Sequence, residues 1–291
     1  MDPFLLRHKI TKIIVTGANG GVGSKLVEAL LNAGFEVHEL SRRHRNLRAN
    51  WTFFDLRKQD SLTFPADCAA IIHCAHDFTV KNWKDMRNVN VAGTLDLYRT
   101  AIENRCPLFI FLSSMAAFDG ARSNYGRGKR EIEAGLLEKG AICVRPGLIY
   151  GVQQGLVEKI RARAVRGGII PLIDGGMSSI YPVSVGEVCE GIIKILHEPQ
   201  KYIGRPVLLA SSQPNSLRNF IDFIAPAGVA RKIYFPIPWW LAWLPMRMAE
   251  FFRLPLPFRS DSLIGLRFQN ETPLKDVLRV EGLSINDPFK N

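Results

Sequence analysis

The sequence of 291 residues lacks any pair of cysteines in the spacing of a metal site or a disulfide motif. Its five cysteines are scattered without a CxxC pair, and the surroundings "AIIHCAH" and "GAICVRPG" are apolar. Single buried thiols are typical of a reducing compartment, whereas small secreted domains pair their cysteines. We therefore expect no disulfide framework, no metal site and a cytoplasmic location.

No apolar run in the sequence is long enough to span a membrane, which takes about 20 residues. The N-terminal "MDPFLLRHKITK" meets charge too early for a secretory signal. The most apolar stretch, residues 233–258, carries three of the five tryptophans, but its uncharged part ends at Met246 and contains prolines. Three interpretations are open: a lid packed on the core, a hydrophobic substrate pocket, or an interfacial helix that contacts anionic lipid. We expect the lid.

Acidic residues are the scarcer charge, since 27 Asp and Glu stand against 38 Lys and Arg and leave a net charge of +11. This balance favours an anionic partner, such as a nucleotide, a nucleic acid or an acidic membrane surface. Basic residues cluster only in "SRRHRNLR" at 41–48 and "KIRARAVR" at 159–166, and no nucleic-acid-binding motif accompanies them. We expect a small anionic substrate and no nucleic acid.

Apolar, β-branched runs alternate with helical periodicity through the first half of the chain. The helical stretches are "SKLVEALLNAG", 84–104 and 124–139, and the strand-like runs are "KIIVTG", "FEVHEL", "WTFF", "AAIIHCA", "PLFIFLSS" and "AICVRPG". This alternation predicts an α/β fold, a Rossmann-type doubly wound parallel sheet, over residues 1–150. Beyond residue 150 the alternation weakens, which predicts a smaller, mixed substrate-binding region over 151–291. Within that region, a helix at 184–196 is expected to pack back on the first domain.

The first turn, "VTGANGGVGSK", spaces Gly17, Gly20 and Gly23 three residues apart between a strand and a helix. The first glycine permits a tight turn, the second lets the backbone approach a pyrophosphate, and the third lets the helix pack closely on the sheet. The next strand ends in "SRR", where NAD-binding proteins usually place an acid for the ribose. Arg42 and Arg43 suit a 2′-phosphate instead, so we expect NADP(H), with NAD(H) as the alternative.

Four motifs in the chain occur together in one known family: "TGANGGVG" at 16–23, "HCAHD" at 73–77, "NVNVAGTLDL" at 88–97 and "YGRGK" at 125–129. Supporting them are "SSMAAF" at 113–118 and "RPGLIYG" at 145–151. The sequence thereby resembles the extended short-chain dehydrogenase/reductases, the NAD(P)-dependent epimerase/dehydratase family. The matching motifs spread over about half of the chain in the family's order.

The resemblance implies a catalytic set of Ser114, Tyr125 and Lys129. Tyr125 would be the general acid/base at a carbonyl or alcohol, and Lys129 would lower the phenol pKa and bind the nicotinamide ribose. An unperturbed phenol titrates near 10, so a nearby cation would help it act as a base at neutral pH. Ser114, preferred to Ser113, would hydrogen-bond the reacting oxygen.

The resemblance also implies a wider set of contacts. Its cofactor-binding residues are Gly17, Asn19, Gly20, Gly21, Val22, Gly23, Ser41, Arg42, Arg43, Asp55, Leu56, Cys74, Ala75, His76, Asn90, Tyr125, Lys129, Pro146, Gly147 and Ile149. Asn90 is expected to act more as a clamp between helix and strand than as a catalytic group. The substrate candidates are His76 and Met115, together with Arg161, Arg163, Arg231 and Arg253, which are suggested by charge alone. His76 is equally open to a structural role.

Three functions remain open on this resemblance. The first is an NADP(H)-dependent reductase that acts on a keto group of a sugar nucleotide. The second is a sugar-nucleotide 4-epimerase, and the third is a non-catalytic NADPH-binding assembly subunit. The intact Ser, Tyr and Lys favour an enzyme, and Arg42 favours an exchangeable NADPH. Relatives often form homodimers through the helices at 84–104 and 124–139, so a homodimer is a candidate assembly.

Overall fold

The computed structural model describes residues 11–289 except 47, 60, 61, 63, 66, 226–230, 255, 257, 258, 271, 287 and 288. The N-terminal segment "MDPFLLRHKITK", which we do not expect to be a secretory signal, therefore lies mostly outside the described residues. The strands of the described part are β1 (Lys12–Thr16), β2 (Glu36–Ser41), β3 (Asn50–Phe53), β4 (Ala70–His73), β5 (Phe109–Leu112), β6 (Ile142–Pro146), β7 (Leu148–Tyr150), β8 (Gly168–Ile173), β9 (Ser179–Ile180), β10 (Pro182–Ser184), β11 (Val207–Leu209), β12 (Asn215–Ser216), β13 (Lys232–Ile237) and β14 (Leu278–Arg279).

Eight of these strands form one parallel sheet in the order β14-β11-β6-β5-β4-β1-β2-β3. The strand order reverses between β1 and β4, which is where ligands bind in open α/β sheets, at the carboxyl ends of the strands. The six strand-like runs of the first half all occur in this sheet, and β1, β4 and β5 are almost wholly buried. The predicted Rossmann-type fold is confirmed.

The helices cover both faces of the sheet. Their bounds are α1 (Gly21–Asn32), α2 (Trp83–Asp85), α3 (Ala92–Glu103), α4 (Asn124–Leu137), α5 (Leu156–Val165), α6 (Val185–His197), α7 (Leu217–Ile224), α8 (Trp239–Phe251) and α9 (Ser260–Arg267). The predicted helix over 84–104 is interrupted, because Met86–Val91 forms a π-helical turn between α2 and α3. Such wide turns are frequent at functional sites.

The second half of the chain contributes to the main sheet as well as to small two-stranded pairs. Strands β11 and β14 extend the sheet beyond β6, and helix α6 packs against α1 in one apolar cluster. Helix α6 begins at a capping box between Ser184 and Glu187, which fixes its start within one residue of the predicted helix at 184–196. The division of the chain at residue 150 stays a prediction, since strands from both sides of it share one sheet.

Helix α8 does not pack on the core, contrary to the expected lid. None of its residues is buried, none belongs to a described core cluster, and its main neighbour is α9. Pro255, Pro257 and Phe258 of the same apolar stretch lie outside the described residues. Across the described chain, every helix is too short or too polar to cross a membrane.

Candidate active site

The turn between β1 and α1 is shaped by backbone contacts that exclude side chains. Gly17 has φ +66°, and a Cβ on it would lie 2.7 Å from the backbone nitrogen of Ala75. A Cβ on Gly23 would collide with the carbonyl oxygen of Gly17. No side chain caps the start of α1, and its first turn contains no acid. The amide groups at this helix terminus therefore fit a bound pyrophosphate, as the motif predicts.

The end of β2 is joined to this turn through side chains. The Asn19 side-chain amide donates to Ser41 Oγ at 2.9 Å and to the Arg43 carbonyl oxygen, and Ser41 Oγ also receives a bond from Trp51 Nε1 at 3.1 Å. Ser41 is buried, so its hydroxyl organises the turn. The side chains of Arg42 and Arg43 are exposed beside it and free to meet an anion.

The loops after β3 and β4 complete the predicted cofactor side of the site. Asp55 accepts a bond from the backbone of Arg57, and the buried Leu56 packs in the core next to Gly93. Cys74 and Ala75 touch the β1–α1 turn. Asn90 is buried in the π-helical turn and bonds both backbone groups of Asp77, accepting at 2.7 Å and donating at 3.1 Å. This geometry is that of the expected clamp.

Ser114, Tyr125 and Lys129 come together at the carboxyl end of β5. Tyr125 stands in the first turn of α4, and the Ser114 hydroxyl lies close enough to act on the pKa of its phenol. Lys129 follows one turn later, and its buried Nζ donates to the Leu112 carbonyl oxygen at 2.7 Å and lies 5.8 Å from the centre of the Tyr125 ring. The neighbouring Ser113 hydroxyl is buried and has no partner among the described atoms. The preference for Ser114 over Ser113 stays a prediction.

The electrostatics of this set differ from the expectation in one respect. Burial raises the pKa of Tyr125 above its usual value, and the nearby Ser114 hydroxyl acts in the opposite direction. Burial also lowers the pKa of Lys129, to about 8. In this state Lys129 bonds a backbone carbonyl and burial keeps the pKa of Tyr125 above its usual value, so Tyr125 is protonated at neutral pH and can donate a proton.

His76 stands against Tyr125 from the β4 side. The two rings meet edge to face at 5.1 Å, and Phe78 packs on both rings while most of its own surface is exposed. Burial and the positive Lys129 hold the pKa of His76 well below its usual value, so the imidazole is neutral. Its Nε2 is buried without a hydrogen-bond partner among the described atoms. A buried nitrogen without a hydrogen-bond partner at this position favours contact with a ligand over a structural role for His76.

The segment after β6 forms the opposite wall. Gly147 admits no side chain, because a Cβ would collide with the Tyr181 carbonyl oxygen. Pro146 is buried at the end of β6 and accepts a bond from the Met115 backbone at 3.1 Å, while Ile149 is half-buried against the core. The strand ends that carry Met115 and Gly147 are therefore held side by side.

The described contacts of the arginines proposed for substrate do not include Tyr125. Arg161 is paired with Glu158 at 2.7 Å and lines a cleft with Tyr150 and Val152. Arg231 is exposed, and its carbonyl accepts from Gly168. Arg163 binds the carbonyl oxygens of Gly167 and Ile169, which is a structural role. From charge alone, the sequence could not distinguish arginines in such surface contacts from arginines that bind substrate.

One residue that the sequence analysis missed holds the start of the Tyr125 helix. The Asp261 carboxylate accepts from the backbone amides of Asn124 at 2.7 Å and Tyr125 at 3.1 Å. The preceding Arg259 donates to the carbonyl oxygens of Phe78 at 2.9 Å and Val80 at 2.6 Å. Helix α9 thus ties together both sides of the site. The partners are more than 130 residues apart, so no local pattern could have indicated them.

We expect Asp261→Asn to lower the free energy of unfolding by about 0.5–2 kcal/mol, because the negative charge at the helix N-terminus and one charge-assisted hydrogen bond are lost. An asparagine keeps one oxygen acceptor, so one of the two amides loses its partner. Urea unfolding measures the change. Asp96→Asn is the matched control, because Asp96 is exposed on α3 and pairs only with Arg99. Equal stabilities of the two variants would contradict the prediction.

Known proteins share both sequence and fold with this chain. A family model described as the NAD dependent epimerase/dehydratase family matches residues 13–209, more than half of the chain. The UDP-glucose 4-epimerase of Vibrio cholerae is 24% identical over 261 residues, which cover 78% of this chain and 79% of that protein. The ceramide reductase of Caulobacter vibrioides is 30% identical over 173 residues, 55% of this chain and 53% of that protein. The structure of UDP-glucose 4-epimerase from Thermotoga maritima shares the fold, with a TM-score of 0.66 at 20% identity over 78% of this chain and 86% of that one.

Proposed function

The chain belongs to the NAD dependent epimerase/dehydratase family, as its motifs predict, and we propose that it is an NADP(H)-dependent oxidoreductase that reduces a keto group of a sugar nucleotide. The observation that carries this proposal is the position of the Tyr125 phenol, near Ser114 and one helical turn before the buried Lys129, where its raised pKa keeps it protonated at neutral pH. A protonated phenol can donate its proton to the alkoxide that develops when a carbonyl is reduced.

The residues that would hold the dinucleotide are those of the β1–α1 turn for the pyrophosphate, Arg42 for the 2′-phosphate and Lys129 for the nicotinamide ribose. When bound, the nicotinamide supplies the hydride that reduces the carbonyl carbon. Ser114 would hydrogen-bond the carbonyl oxygen and orient it. Tyr125 would give its proton to that oxygen, and the resulting phenolate would be stabilised by Ser114 and by the Lys129 ammonium nearby. The unpartnered Nε2 of His76 would contact the substrate beside Tyr125.

The epimerase alternative is supported by the relative from Vibrio cholerae, which matches most of the chain. An epimerase must first take a proton from an alcohol, so Tyr125 would have to be ionised at the start of the cycle. The raised pKa of Tyr125 opposes that step. An epimerase also retains its cofactor through the cycle, whereas the exposed Arg42 suits a cofactor that exchanges.

The proposal is tested by incubating the purified protein with NADPH and a panel of 4-keto sugar nucleotides. Loss of absorbance at the nicotinamide band together with formation of the alcohol would support the reductase. Interconversion of UDP-glucose and UDP-galactose without net consumption of NADPH would support the epimerase instead. NADPH binding with neither reaction would favour the assembly subunit.

Arg42 is expected to set the cofactor preference. NADPH should bind more tightly than NADH. Arg42→Ala should reduce the gap in binding free energy between the two cofactors by about 1–3 kcal/mol, because a charge-assisted contact with the 2′-phosphate is lost. Titration calorimetry with both cofactors measures the gap.

Arg45→Ala is the matched control for this prediction, since Arg45 is also exposed in the same basic loop but stands farther from the end of β2. It should leave the gap nearly unchanged. Equal affinities for the two cofactors in the unmodified protein would refute the assignment of Arg42.

A further inference from the structure

Helix α8 presents an apolar face that no described part of the chain covers. Trp240, Leu241, Leu244, Met248 and Phe251 are spaced so that they share one side of the helix. Each is more than half exposed, from 51% at Met248 to 78% at Phe251. The other side of the helix, which faces α9, is half-buried. Contiguous exposed apolar surface of this kind marks an interaction site.

The apolar surface continues along the chain on both sides of α8. Strand β13 leads directly into the helix, and its Ile233 and Phe235 are exposed on one face of the β8–β13 ribbon, with Ile169 opposite Ile233. After the helix, Phe252 and Leu254 are also exposed. The exposed side chains thus extend from the ribbon to the end of the helix.

The stretch of chain that carries this surface is mostly positive, although Asp174 contacts the start of α8 and Asp222 pairs with Lys232. Residues 231–260 contain five basic residues and one acid, Glu250. Glu250 is engaged away from the open face, where it accepts from the backbone and hydroxyl of Ser260 and lies 3.8 Å from Arg259. Arg247, whose guanidinium lies 3.7 Å from the Glu250 carboxylate, and Arg253 are exposed near the end of the helix. An apolar face bordered by arginines complements an anionic lipid surface.

We propose that α8 docks the protein on an anionic membrane, with Trp240, Leu241, Leu244, Met248 and Phe251 inserted among the lipid headgroups and acyl chains. At 13 residues the helix is too short to cross a bilayer but long enough to lie in its surface. A second copy of the chain is a poorer occupant, because it carries the same net charge of +11 and offers no acidic surface in this stretch.

The docking helix is connected to the rim of the active site. Glu250, at the end of α8, binds Ser260, and the adjacent Arg259 holds the backbone of Phe78. The Phe78 ring stacks with Tyr125 at 6.0 Å and is itself mostly exposed. Docking through α8 would therefore bring the Phe78 side of the site close to the membrane surface.

The proposal is tested by sedimentation of the full chain with vesicles of phosphatidylcholine alone and of phosphatidylcholine mixed with phosphatidylglycerol. We expect binding to the anionic vesicles at physiological salt that weakens as salt is raised, with a shift of tryptophan emission to shorter wavelength. The double variant Leu241→Glu and Leu244→Glu should lower the apparent affinity by about tenfold or more, because two inserted side chains become charged.

Ile102→Glu is the matched control, since Ile102 is an aliphatic residue on α3 with the same 52% exposure as Leu241. It should leave vesicle binding unchanged, and NADPH binding of all variants should show that they are folded. Failure of the unmodified protein to bind anionic vesicles would overturn the proposal, as would an equal loss in the Ile102 variant. A dimer in light scattering that only the α8 variant dissociates would also overturn it and assign the face to a second copy.

Discussion

Tyr125→Phe is expected to lower turnover by about 10²-fold or more while changing NADPH affinity little. The substitution removes the proton that the phenol would donate but keeps the ring, which packs against His76 and Phe78. The walls of the site should therefore stay in place. Steady-state kinetics on the substrate found with the keto-sugar panel, together with calorimetric titration of NADPH, measure the two effects separately.

Tyr98→Phe provides the comparison for this prediction. Tyr98 is a buried tyrosine on α3 whose hydroxyl donates to the Lys139 carbonyl oxygen at 2.9 Å. Its replacement by phenylalanine therefore also removes a phenol hydroxyl from the interior of the protein. Tyr98→Phe should lower the free energy of unfolding by about 1 kcal/mol and leave turnover nearly unchanged. If the Tyr125 variant kept near-full turnover across neutral pH, the pair with Lys129 would have no catalytic role, and the assembly-subunit function would become the better hypothesis.

The parts of the site that sequence could predict are those whose constraints are local. Gly17 needs a positive φ and a close approach to Ala75, and both needs appear in the spacing of a single turn. Tyr125 and Lys129 are one helical turn apart, so one motif places both on the same side of α4. The end of β2 at Ser41 follows from the alternating apolar residues of the "FEVHEL" segment before it. Their catalytic and cofactor roles stay predictions.

The parts that sequence could not predict depend on distant segments. Asp261 reaches the start of α4 across more than 130 residues, and nothing around it in the sequence marks it as a cap. The sequence of α8 is apolar nearly all round, so only the position of α9 decides which face is open. The pKa of Tyr125 also could not be predicted, because it depends on how deeply the phenol is buried and on where Lys129 bonds.

Lys129→Met is expected to lower NADPH affinity and turnover together, in contrast to Tyr125→Phe. Loss of a charged hydrogen bond to the ribose should weaken NADPH binding by about 1.5–3 kcal/mol, which is about tenfold or more. Turnover should fall as well, because the phenolate formed after proton transfer loses its nearby cation. Stability should change little, since methionine is similar in length and the burial cost of the ammonium disappears with its charge.

The pH dependence of NADPH binding separates this role from a packing effect. Burial holds the pKa of Lys129 at about 8, below the usual value of a lysine, so the ammonium is mostly charged at pH 7 and loses its proton as the pH rises through 8. The affinity of the unmodified protein should therefore fall above pH 8, and this fall should be absent from Lys129→Met. Lys139→Met, at an exposed position just beyond the end of α4, should keep the fall. A Lys129→Met variant with unchanged affinity and the same pH profile would show that the ammonium serves only the Leu112 carbonyl and the Phe111 ring that it contacts.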